Sequence, residues 1–318
     1  MKKRVIALIS GGISPERQVS IESGDQVFKA LDKEKYTVLR YDPMTDLPRL
    51  AADAEKIDAA FIALHGRYGE DGTVQGMLDL LDIPYQGSGV LGSAMAMNKI
   101  VSKHMCQAHG VPVPPFRALK RGEPANVGEI VEELGLPLVI KPAETGSSVG
   151  ISVARTPDEV GAGIDLAFSH DESILAEAHI DGVEITAAVI GNDHLETLPL
   201  IEIIPGSDSP FFDYEAKYTP GGAREICPAR IEEKHAEKAR EYAKTAHRAL
   251  LCKGYSRTDM ILKDGELYVL ETNTIPGMTP TSLLPQAAAK AGISFGRLLD
   301  RLIDLGVRSR PPQTGKTV

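Results

Sequence analysis

Apolar residues in the first ninety or so positions come in short runs, each closed by Gly, Pro or Asp. Residues 4–10 and 37–41 read as strands, residues 19–31 as a helix, and residues 59–64 as a further apolar run. Runs this short suit parallel strands covered on both faces by helices, which is an α/β pattern. A second block begins near residue 97 with a helix ending at His109-Gly110, where glycine suits a C-cap. After a proline-rich link at 111–115 come helix 127–134, strand 138–141, a glycine/serine loop, strand 150–154, helix 157–168 and strand 173–176, a mixed α+β unit.

The third block holds strands 184–190 and 197–204, an irregular stretch at 205–222 and helix 231–251. In that helix Ala236, Ala239, Tyr242, Ala243, Ala246 and Leu250 recur at helical spacing, and Gly254 lies just beyond it. A hairpin of 258–262 and 267–271 and further helices complete the block, and the last ten residues read as a frayed end. The expected fold is α/β in three units: a parallel-sheet unit at 1–96, a central α+β unit at 97–181 and a second α+β unit at 182–318. The chain shows no internal repeat and no low-complexity segment.

A length of 318 residues is enough for two or three domains. Charge narrows the partners: 35 Lys+Arg against 44 Asp+Glu give −9, which argues against a general binder of nucleic acid or anionic membranes. Cys106, Cys227 and Cys252 are odd in number and far apart, fitting neither a disulfide framework nor a zinc knuckle, so a reducing cytoplasm is expected. No stretch reaches eighteen apolar residues, so no membrane span is expected. Lys2-Lys3-Arg4 and the apolar run at 5–9 end at Ser10-Gly11-Gly12, which reads as a buried strand and a glycine turn rather than a signal peptide.

Four segments carry candidate chemistry. Gly87-Ser88-Gly89-Val90-Leu91-Gly92 matches the dinucleotide pattern G-x-G-x-x-G, but the acidic residue that should follow about twenty positions on is replaced by Val111-Pro-Val-Pro-Pro-Phe116. A tight turn into a helix is the expected reading. Arg257-Thr258-Asp259 and Glu271-Thr272-Asn273 flank Lys263-Asp264-Gly265-Glu266, a hairpin signal. A two-residue loop would turn Asp259 and Glu271 to opposite faces, whereas a three-residue loop, a common place for glycine, would bring Arg257, Asp259, Glu271 and Asn273 to one face; a bulge elsewhere could change the parity. Two carboxylates and an amide oxygen on one face suit Mg²⁺ bridging phosphates; a solvated hairpin face is the alternative.

Lys141-Pro-Ala-Glu-Thr-Gly146-Ser147-Ser148-Val-Gly150 is a strand ending in lysine, then a small loop whose N–H groups can wrap phosphate, or a plain turn. His65-Gly-Arg-Tyr-Gly-Glu-Asp-Gly72 lies at the expected mouth of the parallel sheet, where ligands sit, though a histidine there could simply cap a helix. Glu16 follows Gly11-Gly12 at the start of a helix, a favourable place for negative charge in any protein. Lys217-Tyr218 lies in the irregular stretch, and no G-x-x-x-x-G-K-[ST] loop occurs anywhere.

Taken together these segments resemble the ATP-grasp ligases, and within them the D-alanine–D-alanine ligase family. The resemblance rests on Gly11–Ser20, Leu64–Thr73, Met97-Asn-Lys99, Gly146-Ser-Ser-Val-Gly150, Phe212-Asp-Tyr-Glu-Ala-Lys-Tyr218, Arg257-Thr-Asp259 and Glu271-Thr-Asn-Thr-Ile-Pro-Gly-Met278 with Ser282-Leu283, in the family's order over nearly the whole chain. It implies three α/β domains with ATP between the second and third. Lys99, Lys141, Ser147, Ser148 and Lys217 would contact the nucleotide, Glu177 and Ile180 the adenine and Glu184 the ribose. Asp259, Glu271 and Asn273 would bind two Mg²⁺ or Mn²⁺ ions. The implied reaction makes an acyl phosphate from the first D-alanine, which the second D-alanine's amine then attacks. Arg257 and the Gly277 N–H would stabilise the tetrahedral intermediate, with Glu16 and His65 at the first substrate and Lys217, Ser282 and Leu283 at the second. A Glu16–Ser147–Tyr218 network would orient both. A cytoplasmic homodimer serving peptidoglycan synthesis is implied as well.

Two positions depart from the family's usual pattern: Thr145 stands where Glu is common before Gly-Ser-Ser-Val, and Ala178 where Lys often follows the adenine-contacting Glu. Tyr218 resembles the dipeptide formers rather than the D-alanine–D-lactate ligases. Another carboxylate–amine or ester ligase, or a dinucleotide-binding regulatory module around Gly87–Gly92, are the rival readings.

Overall fold

A computed structural model of the chain describes residues 2–146, 149–206, 222–279 and 281–309. Strand β1 (Arg4–Ile9) is buried along most of its length and lies between β2 (Tyr36–Tyr41) and β3 (Ala59–Ile62), both parallel to it. Helix α1 (Arg17–Ala30) and the short α2 (Leu47–Ala52) connect these strands. A fourth segment joins at Tyr85, which bridges Ala60 in parallel, and α3 (Thr73–Leu80) precedes it. The C-terminal ends of β1 and β3 run into the Gly11-Gly12 and His65-Gly66 turns, so these loops gather at one edge of the sheet, where ligands of parallel sheets bind.

Helices α4 (Val90–Met97) and α5 (Lys99–Ala108) lead out of this unit. The glycines before α4 serve the turn: Gly87 has φ +90°, and Gly89 occupies the N-cap position. Asn98 caps α5 by accepting the Val101 N–H, and Gly110 follows its end at φ +73°.

A four-stranded antiparallel sheet is ordered β4–β7–β5–β6, from β4 (Phe116–Lys120), β5 (Leu138–Pro142), β6 (Ser152–Ala154) and β7 (Ser173–Ala178). Helices α6 (Val127–Leu134) and α7 (Pro157–His170) cover one face through Ile130, Val160, Ile164 and Ala167 packed on Leu138, Ile140 and Ala176. Strand alternation then puts Val139, Lys141 and Glu177 on the other face. The strand expected from residue 150 begins only at Ser152, because Gly150 takes φ +73° outside the strand region.

The largest sheet has β8 (Val183–Ile190) at its centre. Its main path is β11–β10–β8–β12–β13, from β10 (Ile201–Pro205), β11 (Ala223–Ile226), β12 (Tyr255–Lys263) and β13 (Glu266–Asn273). The single strand expected at 197–204 is two pieces, β9 (Glu196–Thr197) and β10, both pairing with β8. Pro199 stands between them and lacks the N–H a continuous ladder needs. Helix α8 (Glu233–Ala249) covers one face, its Ala236, Ala239, Ala243 and Ala246 against Ile185, Ala187, Met260 and Val269. The close approach of small residues leaves the opposite face, with Glu184, Arg257, Asp259 and Ile261, toward the four-stranded sheet. Helices α9 (Leu283–Lys290) and α10 (Phe295–Arg308) carry the chain back, and Leu298, Leu299 and Leu302 share a core with Ile6, Leu8 and Phe61 of the parallel sheet.

Candidate active site

The open faces of the two antiparallel sheets and the mouth of the parallel sheet enclose one cleft of about 260 Å³. Of the predicted site residues, Glu16, His65, Lys99, Lys141, Glu177, Ile180, Glu184, Arg257, Asp259, Glu271, Asn273, Gly277, Ser282 and Leu283 line it. Ser147, Ser148, Lys217 and Tyr218 lie outside the described residues.

The hairpin solves its facing problem with a bulge. Its loop has two residues, Asp264 and Gly265, between the pair Lys263–Glu266, and both take positive φ (51° and 84°), the signature of a type I′ turn. The three-residue loop that would by itself have aligned the carboxylates is not formed, and this two-residue loop alone would set Asp259 and Glu271 on opposite faces. The register shifts between Asp259 and Met260: Met260 pairs with Val269, but Asp259 pairs with Glu271 and Arg257 with Asn273. Leu270 is the extra residue, and the carboxylates share a face because of it.

Asp259 is the hub of this wall. It is 5% exposed and accepts from Arg257 Nε (2.9 Å) and Nη2 (2.7 Å), Thr186 Oγ1 (2.5 Å) and Asn273 Nδ2 (3.3 Å). The paired guanidinium and carboxylate planes fix Arg257 at the centre of the cleft. Asp259, Glu271 and Asn273 offer hard oxygen donors. Two carboxylates and an amide oxygen are the donor chemistry Mg²⁺ takes, since it needs few protein ligands and keeps sites for water and phosphate oxygens.

The facing wall carries the cations. Lys141 donates to Glu177 Oε1 at 2.7 Å, and Lys103 pairs with the same carboxylate through Oε2. Both lysines hold the Glu177 carboxyl below its ordinary range against the opposing cost of burial. Lys99, in the first turn of α5, donates to the Thr145 carbonyl at 2.8 Å, at the start of the glycine/serine loop. Val139, Val153, Ile180, Ile261 and Leu270 supply an apolar part of the cleft lining, together with Ala178 and His179.

At the mouth of the parallel sheet Glu16 stands at the N-cap position of α1 without capping it. Its carboxylate reaches the glycines instead: a Cβ added to Gly66 would sit 2.7 Å from Glu16 Oε2, and one on Gly146 2.9 Å from it. Gly146 therefore lies against the Glu16 carboxylate. Glu70 accepts the Gly66 N–H at 2.6 Å. Burial, then the Glu16 charge, raise its carboxyl from 4.5 to about 8, opposed by that hydrogen bond. His65 is held near Ser23 Oγ (3.3 Å), and burial followed by the Arg257 charge lowers it to about 4, so its imidazole is neutral at pH 7. At the opposite corner Ser282 Oγ accepts the Thr279 N–H at 3.0 Å and lies 2.7 Å from Thr279 Oγ1, above Gly277.

Sequence reasoning missed Glu70, Lys103, Thr186, Glu225 and Leu270. Glu70 sits inside the His65–Gly72 motif, and Lys103 follows Lys99 by one helical turn on the same face, so both had a local signal. Thr186, Glu225 and Leu270 had none, since each reaches the site through sheet pairing.

Two antiparallel sheets facing each other across a cleft that ends at a parallel sheet's edge are the architecture of an ATP-grasp-type ligase. The comparisons agree. The family model described as "D-ala D-ala ligase C-terminus" matches residues 105–304 and that for the N-terminus residues 43–88. The chain is 60% identical to a D-alanine–D-alanine ligase of Syntrophobacter fumaroxidans, over 96% of this chain and 98% of that protein. It is 55% identical to one of Desulfotalea psychrophila, over 98% and 97%. The crystal structure of the Bacillus anthracis D-alanine–D-alanine ligase complexed with ATP superimposes with a TM-score of 0.85 at 36% identity, covering 96% of this chain and 98% of that one. That of the VanG D-Ala:D-Ser ligase of Enterococcus faecalis gives 0.83 at 34%, covering 96% and 99%. The chain belongs to the D-alanine–D-alanine ligase family.

Proposed function

We infer that this protein joins two D-alanine molecules with ATP, through an acyl phosphate, releasing ADP and phosphate to make a peptidoglycan precursor. The observation that carries the reading is the convergence on one cleft of three sets: the Asp259–Glu271–Asn273 oxygens, the Lys99–Lys141–Glu177 wall and the Glu16–His65–Glu70 corner.

A carboxylate oxygen is a poor leaving group and phosphate a good one, so the nucleotide supplies activation while the protein supplies positioning and charge. The apolar part of the cleft receives the adenine, with Glu177 accepting from its amino group and Glu184 at the ribose. Lys99 and Lys141 meet the phosphates, with Ser147, Ser148 and Lys217 completing the enclosure. Asp259, Glu271 and Asn273 would hold two Mg²⁺ or Mn²⁺ ions, which neutralise phosphate charge when bound. Glu16 takes the first substrate's ammonium, beside neutral His65 and Glu70, and so aims its carboxylate at the terminal phosphate. The second D-alanine's carboxylate binds Lys217 and Ser282, with Leu283 alongside. As its amine attacks, Arg257 and the Gly277 N–H stabilise the oxyanion. Tyr218, with Glu16 and Ser147, orients the pair toward dipeptide formation.

The three-domain division at 96/97 and 181/182 rests on the pattern of elements along the chain, and a homodimer and a cytoplasmic site on the family resemblance. Among the described residues no helix is long and apolar enough to cross a membrane. The test is coupled ADP release with ATP, Mg²⁺ and D-alanine, with product identified by mass. D-Ala-D-Ala is the expected product; ADP without dipeptide, or D-Ala-D-Ser or the D-lactate ester formed in preference when both acceptors compete, refutes the assignment.

A further inference from the structure

Helix α5 buries an unusual face: Lys99, Ser102, Lys103 and Cys106. Buried lysines are rare unless paired, and this helix holds two, one turn apart. Lys103 is 1% exposed, and its ammonium pairs with Glu177. Glu177 also accepts from Lys141, so two cations surround one buried carboxylate. Either lysine alone would neutralise it. The group as it stands carries an excess positive charge next to the cleft.

The two lysines differ in position. Lys141, next to last in β5, lines the cleft, and its side chain is 10% exposed. Lys103 does not line the cleft; it sits behind Glu177, its ammonium 5.8 Å from the Phe116 ring centroid. Burial lowers it to about 8, with Glu177 pulling the other way, so it keeps its proton near neutral pH. Lys141 thus has somewhere to go and Lys103 has not.

We propose that Lys103 is a positioning residue for the nucleotide: it is the fixed counter-ion of Glu177, which frees Lys141 to leave that carboxylate for the phosphates while Glu177 stays an anionic acceptor for the adenine amino group. The proposal rests on the nucleotide reading of the cleft given above. Without Lys103, departure of Lys141 leaves a buried carboxylate with no cationic partner, a state proteins avoid by keeping the old pair or taking up a proton. Either response weakens one end of the nucleotide site.

The test is Lys103→Met, which keeps the stem and removes the charge, assayed with ATP and with purine riboside triphosphate, which lacks the amino group. A hydrogen bond to a charged acceptor predicts that the unaltered protein prefers ATP by about tenfold or more. The variant should raise the KM for ATP by about tenfold, leave the KM for D-alanine unchanged and bring the preference toward one. A merely structural role would alter melting temperature without moving the preference; an unchanged preference and ATP KM overturn the proposal. Should the variant not fold, a structure of the unaltered protein with a non-hydrolysable ATP analogue decides: Lys141 on phosphate with Lys103 still on Glu177 supports it, and Lys141 still on Glu177, or Lys103 detached, overturns it. Failure of the unaltered protein to bind the analogue would instead count against the nucleotide reading itself.

Discussion

Glu70→Gln separates a shared-proton corner from an ordinary surface carboxylate. Glu70 faces Glu16 across Gly66, and its carboxyl is raised from 4.5 to about 8, chiefly by burial. A carboxyl raised on folding binds more protons in the native than in the unfolded state, so it costs nothing below pH 4.5 and its full penalty is present above pH 8. Between pH 6 and pH 8 the penalty grows by about 2 kcal/mol, using 1.36 kcal/mol per unit. Glutamine keeps an oxygen for the Gly66 N–H, now 2.6 Å from Glu70 Oε2, and carries no charge. Melting curves of both proteins between pH 5 and pH 8.5 are the assay. The two should nearly coincide at pH 5 and separate as pH rises, with the variant ahead by a few degrees, about 4 °C at most for a chain of this size. Parallel curves would mean that Glu70 is ionised throughout and that the Glu16–Glu70 corner holds no extra proton.

Glu271→Gln should abolish turnover at ordinary Mg²⁺ and recover part of it at high Mg²⁺; near-normal activity in a Mg²⁺ titration would contradict the metal role. Gly66→Ala meets φ +70° and a carboxylate 2.7 Å from the new Cβ, so it should cost about 1–3 kcal/mol and raise the KM of the first substrate more than that of ATP, read by steady-state kinetics. Lys217→Ala should raise the KM for the second D-alanine more than that for ATP, and equal effects would remove its assignment to that substrate.

Much of the site was legible locally. The Asp264-Gly265 turn, the Asn98 cap before Lys99 and the glycine turns after β1 and β3 depend on neighbours within a few residues, and local rules read them. The facing of Asp259 and Glu271 was not legible, because it depends on where one extra residue, Leu270, sits against a strand whose Asp259 and Met260 lie about ten positions back in the chain. Nor was the break at Pro199 read, although a proline in a presumed central strand was the signal.

The chain's own pattern of short apolar runs, caps and motifs determined which elements form, in what order, and which chemical groups are present. Tertiary structure decided which of those groups meet. The bulge turned Glu271 toward Asp259, the sheet pairing brought Thr186 to the same carboxylate, and burial of one face of α5 placed Lys103 behind Glu177. Elements arise from interactions between near neighbours, whereas charge pairing, desolvation and strand facing arise between residues far apart in the chain, and only the packed molecule supplies those distances.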